Sequence, residues 1–283
     1  MRKIAIITDT NASLPEDLIQ ENKIIQVPIL IQFGEESYTT GVDIDDEKLF
    51  RIIDERNLLP TTAAPSPAAF EQAYRAAFDQ GYQEILCICC SSAVSATFNN
   101  AQLGAESIEG NKISVVDSRQ LSLAEGFQVL LAAEMAANGA ERDQILPELE
   151  ALEARTHVFG ALPTLKYLAL GGRMGKLAAG FGDTLEIKPI LTSRNGKLEL
   201  LEKVRTWRKA KKRLVELGNE SVAGNEIDRV GLIHVNNQPG VMELHESLKS
   251  ALAMPDEALL AEFTPGLSVH TGSGVIAFCL ITK

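Results

Sequence analysis

Along the first half of the chain, short apolar runs alternate with segments whose apolar residues recur at helical spacing. KIAIITD (3–9) is a continuous apolar run that ends in an acid, the pattern of a strand buried on both faces. SLPEDLIQEN (13–22) reads as a helix, with Ser13 and Glu16 spaced as a capping box. IIQVPILIQF (24–33) is extended, and its proline makes it an edge or irregular strand. DEKLFRIIDER is helical, TTAAPSP (61–67) is a loop, and Pro67 opens a helix that stops at Gly81. EILCICC (84–90) is a strand, 93–108 a helix, KISVVD (112–117) a strand and 119–138 a long alanine-rich helix. This alternation predicts a parallel sheet with helices on both faces.

The second half has a different rhythm. Asn195-Gly196 lies between two apolar runs, a hairpin signal. DRVGLIHV, ALLAEFT and GVIAFCLIT are further strands separated by helical segments. A mixed sheet is predicted, with LPELEALEARTH as the bridge. The fold class is therefore α/β in two domains: an N-terminal parallel-sheet domain over 1–155 and a C-terminal mixed-sheet domain over 156–283.

Composition narrows the function. Of 283 residues, 45% are hydrophobic and 23% charged, enough to bury a sizeable core. A net charge of −11 argues against nucleic acid as the main ligand, because phosphate backbones are held by basic surfaces. The four cysteines, three of them at Cys87, Cys89 and Cys90, form no disulfide framework, which fits a reducing cytoplasm. No run reaches the roughly 20 apolar residues of a membrane span, and the N-terminus reads as a strand rather than a signal peptide.

The candidate chemistry sits where strands end. Asp9, Ser92 and Asp117 all close predicted parallel strands, and ligands of open α/β sheets bind in the crevice beyond such ends. In CSSAVSATF (90–98) two hydroxyls stand at a strand mouth before a helix. Unpaired helix N–H groups favour anions there, although Ser91 or Ser92 alone would also serve as an N-cap. Thr62, Ser95 and Thr97 add hydroxyls. GLSVHTGSG (266–274), with His270, Thr271 and Gly272, reads equally as a tight turn or as a site that a ligand approaches closely. Arg173 in LALGGRMG lies on a glycine-rich turn, where an arginine is more often solvated but has the chemistry to grip a carboxylate or phosphate. The basic run from Lys203 to Arg213 is a solvated helix face or a patch for an acidic partner. CICC lies in a buried-strand pattern without a neighbouring histidine, so buried thiols are expected and no metal site. No phosphate-cradling loop for ATP is present.

Taken in order, KIAIITDTNASLPEDL, VPILIQFGEESYTTGVDI, TTAAPSPAAF, SSAVSATFNNA, VVDSRQLSLAEG, GGRMG, KPILTSRNGKLELLEKVRTWRKA and HTGSG resemble the DegV family of bacterial lipid-binding proteins over nearly the whole chain. The resemblance implies two α/β domains with a long-chain fatty acid between them. It implies a carboxylate held at Thr62, Ser92 and His270, supported by Ser91, Ser95, Thr97, Thr271 and Gly272. Arg173 and Arg205 match arginines expected near the exposed head or the partner. Members of the family with an assigned role are subunits without catalysis of their own. They present the carboxylate to a separate kinase, which carries ATP and Mg and makes an acyl phosphate for phospholipid synthesis. The resemblance thus implies no cofactor on this chain beyond the fatty acid, and at most transient membrane contact. This chain departs from the family at TAAPS for TSQPS, Ala96 for glycine and Ser273 for proline. Those departures favour a second expectation, a fatty-acid carrier or sensor without a kinase. A third is a self-sufficient hydrolase or phosphotransferase using Asp9, Asp117 and His270.

Overall fold

The computed structural model describes residues 3–110, 112–173 and 187–283. The first half runs β1 (Ile4–Asp9), α1 (Glu16–Glu21), β2 (Ile25–Val27), β3 (Leu30–Phe33), β4 (Glu36–Thr39), α2 (Asp46–Arg56), β5 (Thr61–Ala63), α3 (Pro67–Asp79), β6 (Glu84–Cys89), α4 (Thr97–Glu106), β7 (Ile113–Asp117), α5 (Leu123–Ala137) and α6 (Arg142–Ala154). The second runs β8 (Thr156–Ala161), α7 (Lys166–Leu170), β9 (Lys188–Arg194), β10 (Lys197–Val204), α8 (Trp207–Val222), β11 (Ile227–His234), α9 (Gln238–Ala251), β12 (Leu259–Glu262), α10 (Pro265–Thr271) and β13 (Ile276–Thr282).

Two α/β domains result, as the alternation predicts. The N-terminal one is built on a parallel sheet in the order β2-β1-β6-β7. The C-terminal one is built on a mixed sheet, β10-β9-β8-β13-β11-β12, in which only β11 and β12 pair in parallel. Every residue of β1 is buried, which is why its sequence is apolar without alternation.

A third sheet, β4-β3-β5, is antiparallel and was not anticipated. Pro28 explains it. The chain leaves the edge of the parallel sheet at Val27, and the proline, which has no N–H, ends that ladder. The next run then pairs elsewhere, with Ile31 opposite Thr62.

Four local expectations are corrected. Ser13 caps no helix: Asp9 already caps a short 3-10 turn at 10–12, and Ser13 follows it at φ 51°, its hydroxyl donating to the Asn11 carbonyl. α1 instead starts after Pro15. α4 begins at Thr97 rather than 93, because the N–H groups of Val94 and Ser95 both turn back to the Ser91 carbonyl. α5 begins at Leu123 rather than 119, after positive φ at Arg119 and Ser122. The tight turn expected around His270 is instead a short helix, α10.

α5 is buried nearly all round and packs against β1 and β6 of one sheet and β11 of the other. The largest core cluster therefore joins both domains, from Ile6 and Leu86 through Leu123 and Phe127 to Ile233 and Cys279. Among the described residues no helix is long and apolar enough to cross a membrane.

Candidate functional site

Beyond the C-terminal ends of β1 and β6 lies a cavity of about 260 Å³ between the two domains. Its walls are mostly apolar: Leu162, Leu191, Leu198, Phe263, Val275 and Ala277 belong to the second domain. Thr62, Ser95, Arg173, His270 and Thr271 supply polar groups, with Asn11 set among them. Thr62, Ser95 and Arg173 are half-buried and Ala96 beside them is exposed, so this polar end reaches the surface.

Each polar group is positioned by its element. Thr62 lies on β5, and its hydroxyl is 3.1 Å from His270 Nε2. Arg173 follows α7, donates to the Gly171 carbonyl at 2.6 Å and reaches the Thr62 hydroxyl at 3.5 Å. The His270 ring sits against the Cα of Gly171, where a side chain would collide with Nδ1. Burial, reinforced by the Arg173 charge, pushes His270 down to about 4, so it is neutral near pH 7. Among the described residues the mouth at neutral pH therefore combines the Arg173 charge with neutral hydrogen-bonding groups, a setting for a single carboxylate. α10, which carries His270 and Thr271, is tied to the first domain by Ser268, whose hydroxyl donates to Asp46 on α2 at 2.6 Å.

The other predicted residues divide. Ser92 does not line the cavity: it is exposed, and its N–H and hydroxyl both go to Asp117 at the end of β7. Ser95, three residues on, does line the cavity, because the turn before α4 directs Ser92 along the strand ends toward Asp117. Ser95 also pairs with Thr97 at 2.8 Å, and Thr97 is buried beneath it. Ser91 is buried and donates to the Gly196 carbonyl at the tip of the β9–β10 hairpin, 2.7 Å away. Gly272 ends α10 at φ 78°, its Cα packed near the Tyr167 ring. Arg205 is exposed after β10, away from the cavity lining. Met174 and Gly175 of the GGRMG stretch lie outside the described residues. The basic run is partly neutralised within the fold: Lys211 pairs with Glu243, and Arg213 with Glu202, Glu216 and Glu220.

Asp9 and Asp117 do not join His270 at the cavity. The fully buried Asp9 accepts the N–H groups of Asn11 and Cys90, each at 2.9 Å. Its neighbour Glu125 is equally buried and accepts the Thr8 hydroxyl. Burial raises both carboxyls; the Asp9 charge raises Glu125 further, whereas the hydrogen bond from Glu125 favours the ionised form of Asp9. One proton shared between them satisfies that arrangement. Cys90 completes a triad with atoms within 4.8 Å, but burial raises its thiol well above the ordinary range. A neutral thiol and a proton-sharing carboxyl pair make a structural knot that fixes the strand ends beneath the cavity.

Sequence reasoning missed Asn11, Asp46 and Ser268. Asp9, two residues before Asn11, was the available signal for the first. Asp46 looked like an ordinary first-turn acid of a helix.

Comparison with known proteins follows the same lines. The family model described as "Uncharacterised protein, DegV family" matches residues 3–283. A DegV domain-containing protein of Caldanaerobacter subterraneus subsp. tengcongensis is 31% identical over 272 residues, covering 96% of each chain. A solved structure described as showing fatty acid binding of a DegV family protein from Thermus thermophilus is 29% identical, covers 100% of both chains and superposes with a TM-score of 0.93. A stearic acid-binding protein from Eubacterium ventriosum is 26% identical, with a TM-score of 0.88 over 100% of this chain and 99% of its own.

Proposed function

This chain belongs to the DegV family, and on that premise we propose that it binds a long-chain fatty acid between its halves, 1–155 and 156–283. The carboxylate lies at Thr62, Ser95, Arg173 and His270, and the tail runs inward between β8, β9 and β13. The observation that carries this reading is the cavity itself, mostly apolar in its walls, with Thr62, Ser95, Arg173 and His270 grouped where it meets solvent. A buried CH₂ contributes about 0.8 kcal/mol, so the tail supplies most of the binding and the head group orients it. The structures of fatty-acid-binding relatives support the same ligand class.

In this reading the chain does no chemistry of its own. The carboxylate, held at a half-exposed mouth, is presented to a separate ATP- and Mg-carrying kinase, whose product is an acyl phosphate. Arg205, just before α8, and Arg208, in its first turn, are exposed and contribute to that partner's approach. A carrier without a kinase uses the same cavity. Incubation with ATP, fatty acid and a candidate kinase separates the two, since only the first yields acyl phosphate. The primary test is extraction of the purified protein and mass spectrometry of its lipid. A bound acyl chain, or stoichiometric uptake of octadecanoate after delipidation, is the expected result; a protein that neither retains nor takes up a fatty acid refutes the proposal.

A further inference from the structure

α10 is a wall with two faces. Gly266, Leu267, His270 and Thr271 line the cavity, positions that share one side of a helix. Ser268 and Val269 fall on the other side. Val269 belongs to an apolar cluster with Ile31, Phe33 and Leu49, and the Ser268 hydroxyl donates to Asp46 on α2. Ser268 is completely buried and Asp46 nearly so, and the back of the cavity wall therefore rests on a carboxyl group kept from water. Only one oxygen of that carboxyl is served: Oδ1 is buried with no hydrogen-bond partner among the described residues.

The surroundings disfavour a charge there. Burial lifts Asp46 to about 7 although the Ser268 bond opposes the rise, and the negative charges of Glu262, at the end of β12, and Asp45, ahead of α2, add to it. Glu262 accepts the Asn236 N–H and stands 3.4 Å from His234 Nδ1. On α2 itself Glu47 is exposed, and Lys48 directs its ammonium to the Asp43 carbonyl. The turn at 10–12, β3 and β5, which also pack on α10, carry no titratable residue. α7 brings Tyr167 and the following Arg173 to the His270 end of the helix, and its Lys166 is exposed.

We infer that Asp46 fastens α10 in a proton-dependent way: the wall is seated while the carboxyl keeps its proton and lifts when the proton is lost, so that release of the ligand quickens as pH rises. An ionised carboxylate needs partners for both oxygens, and the seated helix supplies one. Lifting α10 from α2 admits water to the other. The seated form therefore holds the proton more tightly than the lifted form, in which Asp46 returns toward the ordinary 3.8. Raising the pH between those two values favours lifting, and above about 7 the effect levels off because both forms are then ionised. His270 rides on the same helix and acts with the opposite sign between about 4 and 6.5, so the wild-type profile carries both groups. The inference rests on the fatty-acid reading above and assigns that cavity a means of regulation.

The test is the off-rate of isotope-labelled octadecanoate from loaded protein, chased with unlabelled acid at closely spaced pH values, in the wild type and in Asp46→Asn. Asparagine keeps an acceptor for Ser268 and has no proton to lose, and dividing one rate by the other cancels the titration of His270 and of the ligand. The wild-type to variant ratio should rise roughly tenfold between about pH 5.5 and about pH 7.5 and stay level above that. A ratio that does not change with pH overturns the inference, makes Asp46 a purely structural residue and leaves the fatty-acid reading standing. Ser268→Ala removes the bond that favours the ionised carboxyl, so the rise in its off-rate should end at a higher pH than in the wild type; a rise ending at the same pH overturns the inference even if Asp46→Asn does not fold. A protein that binds no octadecanoate at any pH overturns both the inference and the reading beneath it.

Discussion

The Ser268 hydroxyl donates to the buried Asp46 carboxyl at 2.6 Å, joining the helix that carries His270 to the first domain. Asp46 is 4% exposed, and burial lifts it from 3.8 to about 7 despite the Ser268 bond, with Glu262 and Asp45 adding repulsion. The folded protein therefore holds this proton through a range in which the unfolded chain has lost it. Its contribution is fully present below about pH 4 and is lost as pH rises to about 7. The effect is worth up to about 4 kcal/mol. Asp46→Asn keeps an acceptor for Ser268 and carries no charge, so it should gain stability over the wild type as pH rises through that window. Denaturant unfolding of both proteins at closely spaced pH values reads the difference; parallel curves would contradict it.

His270 works in the opposite direction. Its folded value, about 4, lies below the ordinary 6.5, so the unfolded chain binds the proton first. Stability is lost as pH falls from 6.5 toward 4, by up to about 2 kcal/mol after discounting for partial exposure. His270→Gln should remove this loss. Because the two linkages oppose each other over nearly the same range, the wild type keeps a net loss of about 2 kcal/mol from the pair as pH rises from 4 to 7. The double variant should lose this slope, while His270→Gln alone should steepen it and Asp46→Asn alone should reverse it.

At the head-group end, Thr62→Val removes a hydroxyl within reach of both His270 and Arg173. Retention of octadecanoate should fall roughly tenfold, the cost of a hydrogen bond to a charged group. Ser95→Ala should weaken retention similarly. Ser92→Ala should not, because that hydroxyl serves Asp117. Equal losses from Ser92→Ala and Ser95→Ala would show that the strand-end geometry is wrong.

The β9–β10 hairpin supplies Leu191, Thr192 and Leu198 to the cavity and is fastened at its tip by Ser91. Ser91→Ala leaves the Gly196 carbonyl without that donor and should cost about 1–2 kcal/mol. Gly196 has φ 76°, and a side chain there would strike the Ser91 hydroxyl. Gly196→Ala should therefore cost at least as much and speed dissociation of a bound acid. Hydrogen exchange at the hairpin amides and off-rates by competition check both variants; an off-rate unaffected by either would separate the hairpin from ligand exchange.

Both domains and the hairpin were legible because they rest on local signals: unbroken apolar runs, helical spacing and Asn195-Gly196. The third sheet was not, since β3 and β5 are short and only Pro28 hints that the chain changes sheets. Thr62 and His270 were legible as residue types at loops, and the resemblance supplied their common role. Their 3.1 Å approach spans more than two hundred positions, and only the packing of α10 creates it. Ser92 and Ser95 differ by three residues and the same chemistry. A turn in which the N–H groups of Ala93, Val94 and Ser95 all return to Ser91 decides which of the two serines meets the cavity. Cavity-lining residues such as Leu191 and Phe263 look like any core position in a sequence, because an apolar cavity and a core are made of the same side chains.

The burial of α5 against both sheets has a mechanical corollary. A clamshell motion that swung the halves apart would strip water-averse surface from a helix embedded in each of them, including the one that carries Glu125. On the proposed fatty-acid reading, loading should therefore proceed by small excursions of the rim, around Arg173, α10 and the hairpin tip, with the spine shut. Tracer amides along α5 should remain protected through every turnover.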